Sequence, residues 1–463
     1  MGVKRIFLLA FVLSMFLIIS ANDASAADKQ FTIRANNTLS GANLSDHNFI
    51  FELQDPTNNN AVLQTKTSNE SLISFDPITL DDQDATSHFY RIVIKDTGET
   101  GITYDKQAAY VRIVPKDNLL AYQKDNTYKY VNDGSGPHPY HATDEELQGQ
   151  AYVEWNPETK TLTFFRDEEG KYAHGQIVDG KYYYTGFEAP NDRLRARRIN
   201  PTWDENYEIK NNATEIVFRD AIRPEGELYD WFYQYRQLEK ADILRFDSSR
   251  ATSFIGFFGW CSKLKDIDVT YLDFSAAVAA AGINNAIFTN AFGGTLIEEF
   301  DFNNYEKMDF GTNRPMASMF DSSALRYLNT ESLVHEGSSA EFARLYCLEK
   351  AVVGPDYSFY RSNVDGASKA EWLKVETGEI GRFTDLMSTA PGGVSYNPDS
   401  AGTYVRPICR LDHITFENKY AKPTTDGGAK NPNTADISIA VLAGLIASCI
   451  GLSAVFARKA HRR

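Results

Sequence analysis

The chain has 463 residues, with 62 Asp and Glu against 47 Lys and Arg and a formal net charge of −15. So acidic a chain argues against nucleic acid or anionic lipid as a partner, and its length implies two or three domains. Four cysteines are too sparse for a disulfide framework, so packed cores must hold the fold, with 29 Phe and 25 Tyr supplying apolar area.

In chain order, the first element is a secretion signal. Lys4 and Arg5 precede an apolar run from Ile6 to Ile19, and Ala24-Ser25-Ala26 offers small residues for cleavage. The run is too short to span a bilayer comfortably and suits a signal peptide over 1–26. From Phe31 to Asn118 the segments FTIRA, NFIFELQD, SLISFDPITL, HFYRIVIKD and AAYVRIVP alternate apolar and polar residues. That period, with Asn, Asp, Gly and Ser between segments, predicts short strands in an immunoglobulin-like sandwich.

The run TLSGANL, FIFEL, ISFDPITL, FYRIVIKD and GITYDKQAAYVRIV resembles the pilin isopeptide-linkage domain of Gram-positive surface proteins. In that family the last strand carries F-x-N-x-Y, which occurs here only at Phe416 to Tyr420. Two arrangements fit. In one, a sandwich at 27–118 takes its last strand from 411–420, with 119–406 inserted. In the other, the N-terminal domain is complete and the terminal strand is unrelated. The resemblance implies an internal Lys–Asn amide with a neighbouring acid, which places Asn418 at the Asn position and Asp96 at the acid position. On the first strand Ala35, Asn36 and Asn37 stand where the family has its Lys, so no amide is expected. VRIVPKDN resembles the lysine-bearing motif through which pilin subunits polymerise, with Lys116 as acceptor; an ordinary strand-end lysine is the simpler expectation.

From about residue 150 the pattern changes. Phe232, Phe258, Phe292 and Phe320 recur about 30 residues apart, followed in step by Leu238, Leu264, Ile297 and Leu325. Such a period predicts a solenoid whose units bury their faces on one another. FFGWCSKLKDIDVTYLDFS and PMASMFDSSALRYLN resemble BspA-like leucine-rich-repeat surface proteins. The expected fold is therefore mainly β with α/β repeats, an immunoglobulin-like sandwich with an inserted leucine-rich-repeat-like solenoid. The lead-in and repeats together span 119–406.

A polar linker over 421–436 leads to an apolar stretch, Ile437 to Ala457, of about the 20 residues that cross a membrane, and a basic tail over 458–463. Linker, transmembrane helix and tail resemble the wall-sorting signal of Gram-positive proteins. The motif residues are Asn431, Pro432, Asn433, Thr434 and Ala435, with Asn431 and Ala435 replacing the usual Leu and Gly. The resemblance implies a sortase that joins the Thr434 carbonyl to a peptidoglycan amine, leaving the chain extracellular and wall-anchored.

No catalytic constellation is expected. His138, His141 and His174 lack a completing ligand pattern, and Asp81, Asp82 and Asp84 lack the glycine and terminal Glu of a calcium loop. Cys261 reads as core, and Arg193, Arg195, Arg197 and Arg198 as a solvated loop. No metal or other cofactor is expected. The function these features suggest is adhesion, the repeats binding a host glycoprotein, matrix or neighbouring-cell ligand. A minor pilus or wall subunit is the first alternative, and an enzyme acting on wall or host polymers the second.

Overall fold

The computed structural model describes residues 28–124, 139–193, 195–280, 287–302, 308–311, 316, 318–336, 344–358, 370–382 and 401–422. The signal segment, the sorting motif Asn431 to Ala435, the membrane-span segment 437–457 and the basic tail lie outside them. The described chain is mainly β.

The first strands are β1 (Asp28–Phe31), β2 (Arg34–Ser40), β3 (Phe49–Asp55), β4 (Ala61–Ser68), β5 (Leu72–Ser74), β6 (Ile78–Asp81), β7 (His88–Lys95), β8 (Ile102–Thr103), β9 (Ala109–Val114) and β10 (Leu119–Lys124). One antiparallel sheet has the order β10-β9-β7-β3-β4. Its inward residues Phe49, Phe51, Leu53, Ile92, Val111 and Ile113 alternate along the strands and are buried. They pack on Ala35 and Ile73 from a second sheet, and on Ile33 just before it, as in a sandwich.

The chain then leaves the sandwich. β11 (Gln150–Asn156), β12 (Thr161–Asp167), β13 (Gln176–Val178) and β14 (Lys181–Tyr184) pair antiparallel in the order β13-β14-β11-β12. From β12 onward the pairing turns parallel, through β16 (Glu215–Phe218), β18 (Lys240–Asp242) and β20 (Asp266–Ile267). A second parallel ladder joins β15 (Arg198–Ile199), β17 (Gly226–Tyr229) and β19 (Ala251–Ile255). Two more follow: β21 (Glu299–Asp301), β23 (Tyr327–Asn329) and β25 (Lys350–Val353); and β22 (Met308–Gly311), β24 (Leu333–Glu336) and β26 (Tyr357–Ser358). Antiparallel β27 (Glu371–Lys374), β28 (Ile380–Arg382) and β29 (Gly402–Val405) close the former ladder against β25.

The phased aromatics sit in the turns that join these ladders. Phe232 stacks on Phe258 at 5.0 Å, Phe258 on Phe292 at 6.4 Å, and Phe292 on Phe320 at 6.0 Å. The backbone repeats with them. Two residues before each Phe, Asp230, Gly256, Asn290 and Ser318 have left-handed φ of 55°, 64°, 55° and 58°. Two residues after, Gln234, Trp260, Gly294 and Ser322 have 64°, 63°, 68° and 58°. Rung hydrogen bonds join the turns, from the Phe232, Phe258 and Phe292 N–H groups to the Phe257, Ala291 and Met319 carbonyls at 3.0, 2.8 and 2.9 Å.

The chain finally returns to the sandwich as β30 (Ile414–Tyr420). It pairs parallel with β2, from Ala35 opposite Ile414 to Ser40 opposite Lys419, and completes the sheet β5-β2-β30-β8. Gly41, at the end of β2, has φ +90°, and a Cβ there would lie 2.3 Å from the Tyr420 carbonyl oxygen, so only glycine lets β30 approach. The end of the insert also packs on the sandwich: Leu373 and Val405 meet Phe89 and Tyr110 on the outer face of the five-stranded sheet. Where the chain leaves and re-enters, the Tyr122 N–H donates to the Cys409 carbonyl at 3.0 Å.

Candidate functional site: the seam between an early strand and the last

Parallel pairing of β2 and β30 puts Asn37 and Asn418 side by side in the sandwich interior, with side chains that are both buried. Phe416 and Asn418 point inward because they alternate with outward Glu417. Asn418 Nδ2 donates to Asn37 Oδ1 at 2.7 Å and to the Thr38 carbonyl at 3.3 Å. Asn418 Oδ1 accepts the Asp105 N–H at 2.9 Å. Its polar atoms are thereby satisfied, whereas the buried Asn37 Nδ2 has no partner among the described residues.

Beside this amide pair lies a buried charge pair. Lys124, the last residue of β10, is wholly inaccessible, and its ammonium contacts the Asp105 carboxylate. It also donates to the Thr415 carbonyl at 2.9 Å and lies 4.6 Å from the centre of the Phe416 ring. Asp105 further accepts the Glu417 N–H at 2.9 Å and the Gln107 N–H at 3.1 Å. A buried ammonium tolerates desolvation where it is paired and hydrogen-bonded, and here a carboxylate and a carbonyl do that while a ring face adds to the attraction. Two of its partners belong to β30, so Lys124 and Asp105 tie β10 and the loop before β9 to the last strand.

The chemistry open to the site follows. An amide between β2 and Asn418 would need an amine on β2, and Asn37 has none. The Asp105 carboxylate accepts from three donors, the Lys124 ammonium and the Glu417 and Gln107 N–H groups. Asp96 lies elsewhere: it is half exposed, accepts the Gly98 N–H at 3.0 Å and stands 3.7 Å from Lys106. The acid in contact with Asn418, through its backbone N–H, is Asp105. Sequence reasoning passed over both Asp105 and Lys124. The available signal was a lysine closing the apolar strand LLAYQK, where alternation points it inward.

The other candidates occupy ordinary positions. Asp84 caps the Thr86 N–H and pairs with His88 at 2.7 Å, and these contacts hold its carboxyl down at about 2. His141 pairs with Asp273 at 2.7 Å and His174 with Glu205 at 3.3 Å. Among the described residues no three metal-ligating side chains converge. His138 lies outside the described residues. The Arg198 guanidinium lies 3.4 Å from the Tyr229 ring centre and 3.8 Å from Asp192. Cys261 is fully buried, its thiol donates to the Phe232 carbonyl at 3.0 Å, and burial pushes its pKa far up. Lys116 is exposed in the turn between β9 and β10, with its N–H bonded to the Asp84 carbonyl at 2.9 Å.

Comparison with known proteins finds a match over one part of the chain. The family model for FctA, the Spy0128-like isopeptide containing domain, matches residues 27–165. No curated protein matches the chain. The N-terminal region is thus similar to a pilin-type domain. The match runs from β1 into β12 and does not reach β30, the strand that completes the sandwich.

Proposed function

We propose that the protein is a structural subunit of pilin type, exported and built into a surface fibre or wall layer. The match of 27–165 to the Spy0128-like domain carries this reading. The latched seam supports it, because a subunit pulled from its ends needs a strand near its start, here β2, joined to its last strand, β30. On this reading the joint is non-covalent, made by the Asn37–Asn418 amides and the Lys124–Asp105 pair. A sortase would break the Thr434–Ala435 bond and pass the Thr434 carbonyl to an amine, either of peptidoglycan or of the exposed Lys116 of another copy. No catalytic role for the chain itself enters this reading.

The test is electrophoresis of muramidase-released wall material, comparing wild type with Thr434→Ala and Lys116→Arg. High-mass ladders lost in both variants support polymerisation. Ladders lost only in Thr434→Ala support wall attachment without polymerisation. A wild type extracted by detergent alone would sink both.

A second reading keeps the inserted region as a leucine-rich-repeat-like solenoid that recognises a host glycoprotein, matrix or neighbouring-cell ligand. The repeated turn geometry around Phe232, Phe258, Phe292 and Phe320 favours it. Binding of the ectodomain to such ligands, measured with and without soluble competitor, decides it.

A further inference from the structure

The chain enters and leaves the sandwich on neighbouring parallel strands, and that topology has a mechanical consequence. We infer that the β2–β30 seam is a shear clamp that carries tension past the insert, so the inserted ladders ride outside the load path. Pulling the N-terminal side draws β2 toward Arg34, and pulling the C-terminal side draws β30 toward Tyr420. In a parallel pair these pulls oppose each other along the strand axis. Every rung from Ala35–Ile414 to Ser40–Lys419 is then loaded at once rather than one by one.

Side chains reinforce the rungs. Thr38 Oγ1 donates to the Phe416 carbonyl at 3.2 Å, and Asn418 Nδ2 to Asn37 Oδ1 at 2.7 Å. Lys124 adds a third body to the clamp. Its bond to the Thr415 carbonyl and its carboxylate partner's bond to the Glu417 N–H anchor β30 to β10 as well as to β2. The insert begins after β10 and ends before β30, so both of its ends attach inside the clamped sandwich.

The idea that tension reaches these ends in the cell rests on the surface-subunit reading; the clamp itself does not, and its test is made on isolated protein. Single-molecule pulling on the full chain compares handles at residues 28 and 420 with handles at 150 and 406. For the first pair, the expected trace shows a short release of β1 and then one main rupture at high force. Extension of the insert follows only after that rupture. For the second pair, the insert extends at lower force. Lys124→Met is expected to shift the main rupture of the first pair to lower force and to leave the second trace unchanged. Stepwise insert-sized extensions before the main rupture, or equal forces for the two pairs, would overturn the clamp. Failure of the wall-ladder experiment alone would leave it standing.

Discussion

The seam and the inserted ladders hold their strands together by different means. At the seam, partners distant in sequence meet once, through buried amides, an ion pair and one ring. In the insert, each turn repeats the one before it, and apolar faces spread the stabilisation over many similar contacts. A repeated apolar interface tolerates local loss because neighbouring units are still packed. A single polar latch is cooperative, because removing one group strands the others in a site without water.

The largest expected effect tests that contrast directly. Lys124→Ala should cost about 3–5 kcal/mol, because it leaves the Asp105 charge buried without its partner. Replacing both partners, Lys124→Met with Asp105→Leu, should recover much of the loss in a chemical denaturation midpoint. If the double variant is as unstable as the sum of the singles, the pair is more than a compensated charge.

Phe258→Ala should cost a similar amount, about 3–5 kcal/mol, by opening a cavity between two stacked rings. Hydrogen exchange should localise that loss to turns 230–234, 256–260 and 290–294, with the sandwich amides still protected. Uniform loss of protection would show that insert and sandwich unfold as one unit.

Asn418→Ala should be milder, about 2 kcal/mol, leaving the Asp105 N–H and Asn37 Oδ1 without their partner. The mass of the purified chain sharpens the point. It should equal that of the processed sequence, since Asn37 offers no amine. A chain lighter by one ammonia would mean that a lysine had reached Asn418, and one lighter by one water that Lys124 had condensed with Asp105.

The smallest effect concerns Asp230, whose carboxyl is raised to about 6, chiefly by burial and against the pull of Lys210 and Arg198. A carboxyl raised on folding binds its proton more tightly in the folded state. Its ionisation therefore destabilises the fold above about pH 6, and this penalty vanishes below the unfolded value near 4. Asp230→Asn, which also suits the left-handed φ of 55°, should gain about 1 kcal/mol at pH 7. The gain should fade toward pH 4; one that is independent of pH would assign it to backbone preference instead.

Several features were legible without coordinates. Alternation marks the strands of the sandwich, since each has one face on the core, and the segment Phe416–Tyr420 carries the same alternation. The phase of Phe232, Phe258, Phe292 and Phe320 is visible as spacing. The paired left-handed residues on either side of each Phe are not, because they include Asp, Gln, Trp, Asn and Ser as well as Gly. Packing between units imposes that backbone on Gln234, Trp260, Ser318 and Ser322, which do not prefer it.

The site was less legible. Asn418 stands out by motif, whereas Asn37 is only one of three residues, with Ala35 and Asn36, that stand where the family has its lysine. Asp105 and Lys124 belong to no local pattern, because their meaning lies in a contact across a chain reversal. Sequence by itself determined the strand-forming segments, the acidic surface and the aromatic period, all set by local alternation, composition and spacing. Only the tertiary structure decided that β30 lies beside β2 and that Lys124 is paired inside the sandwich. Those are choices of long-range partner, and burial energy selects a partner only when the whole sheet is assembled.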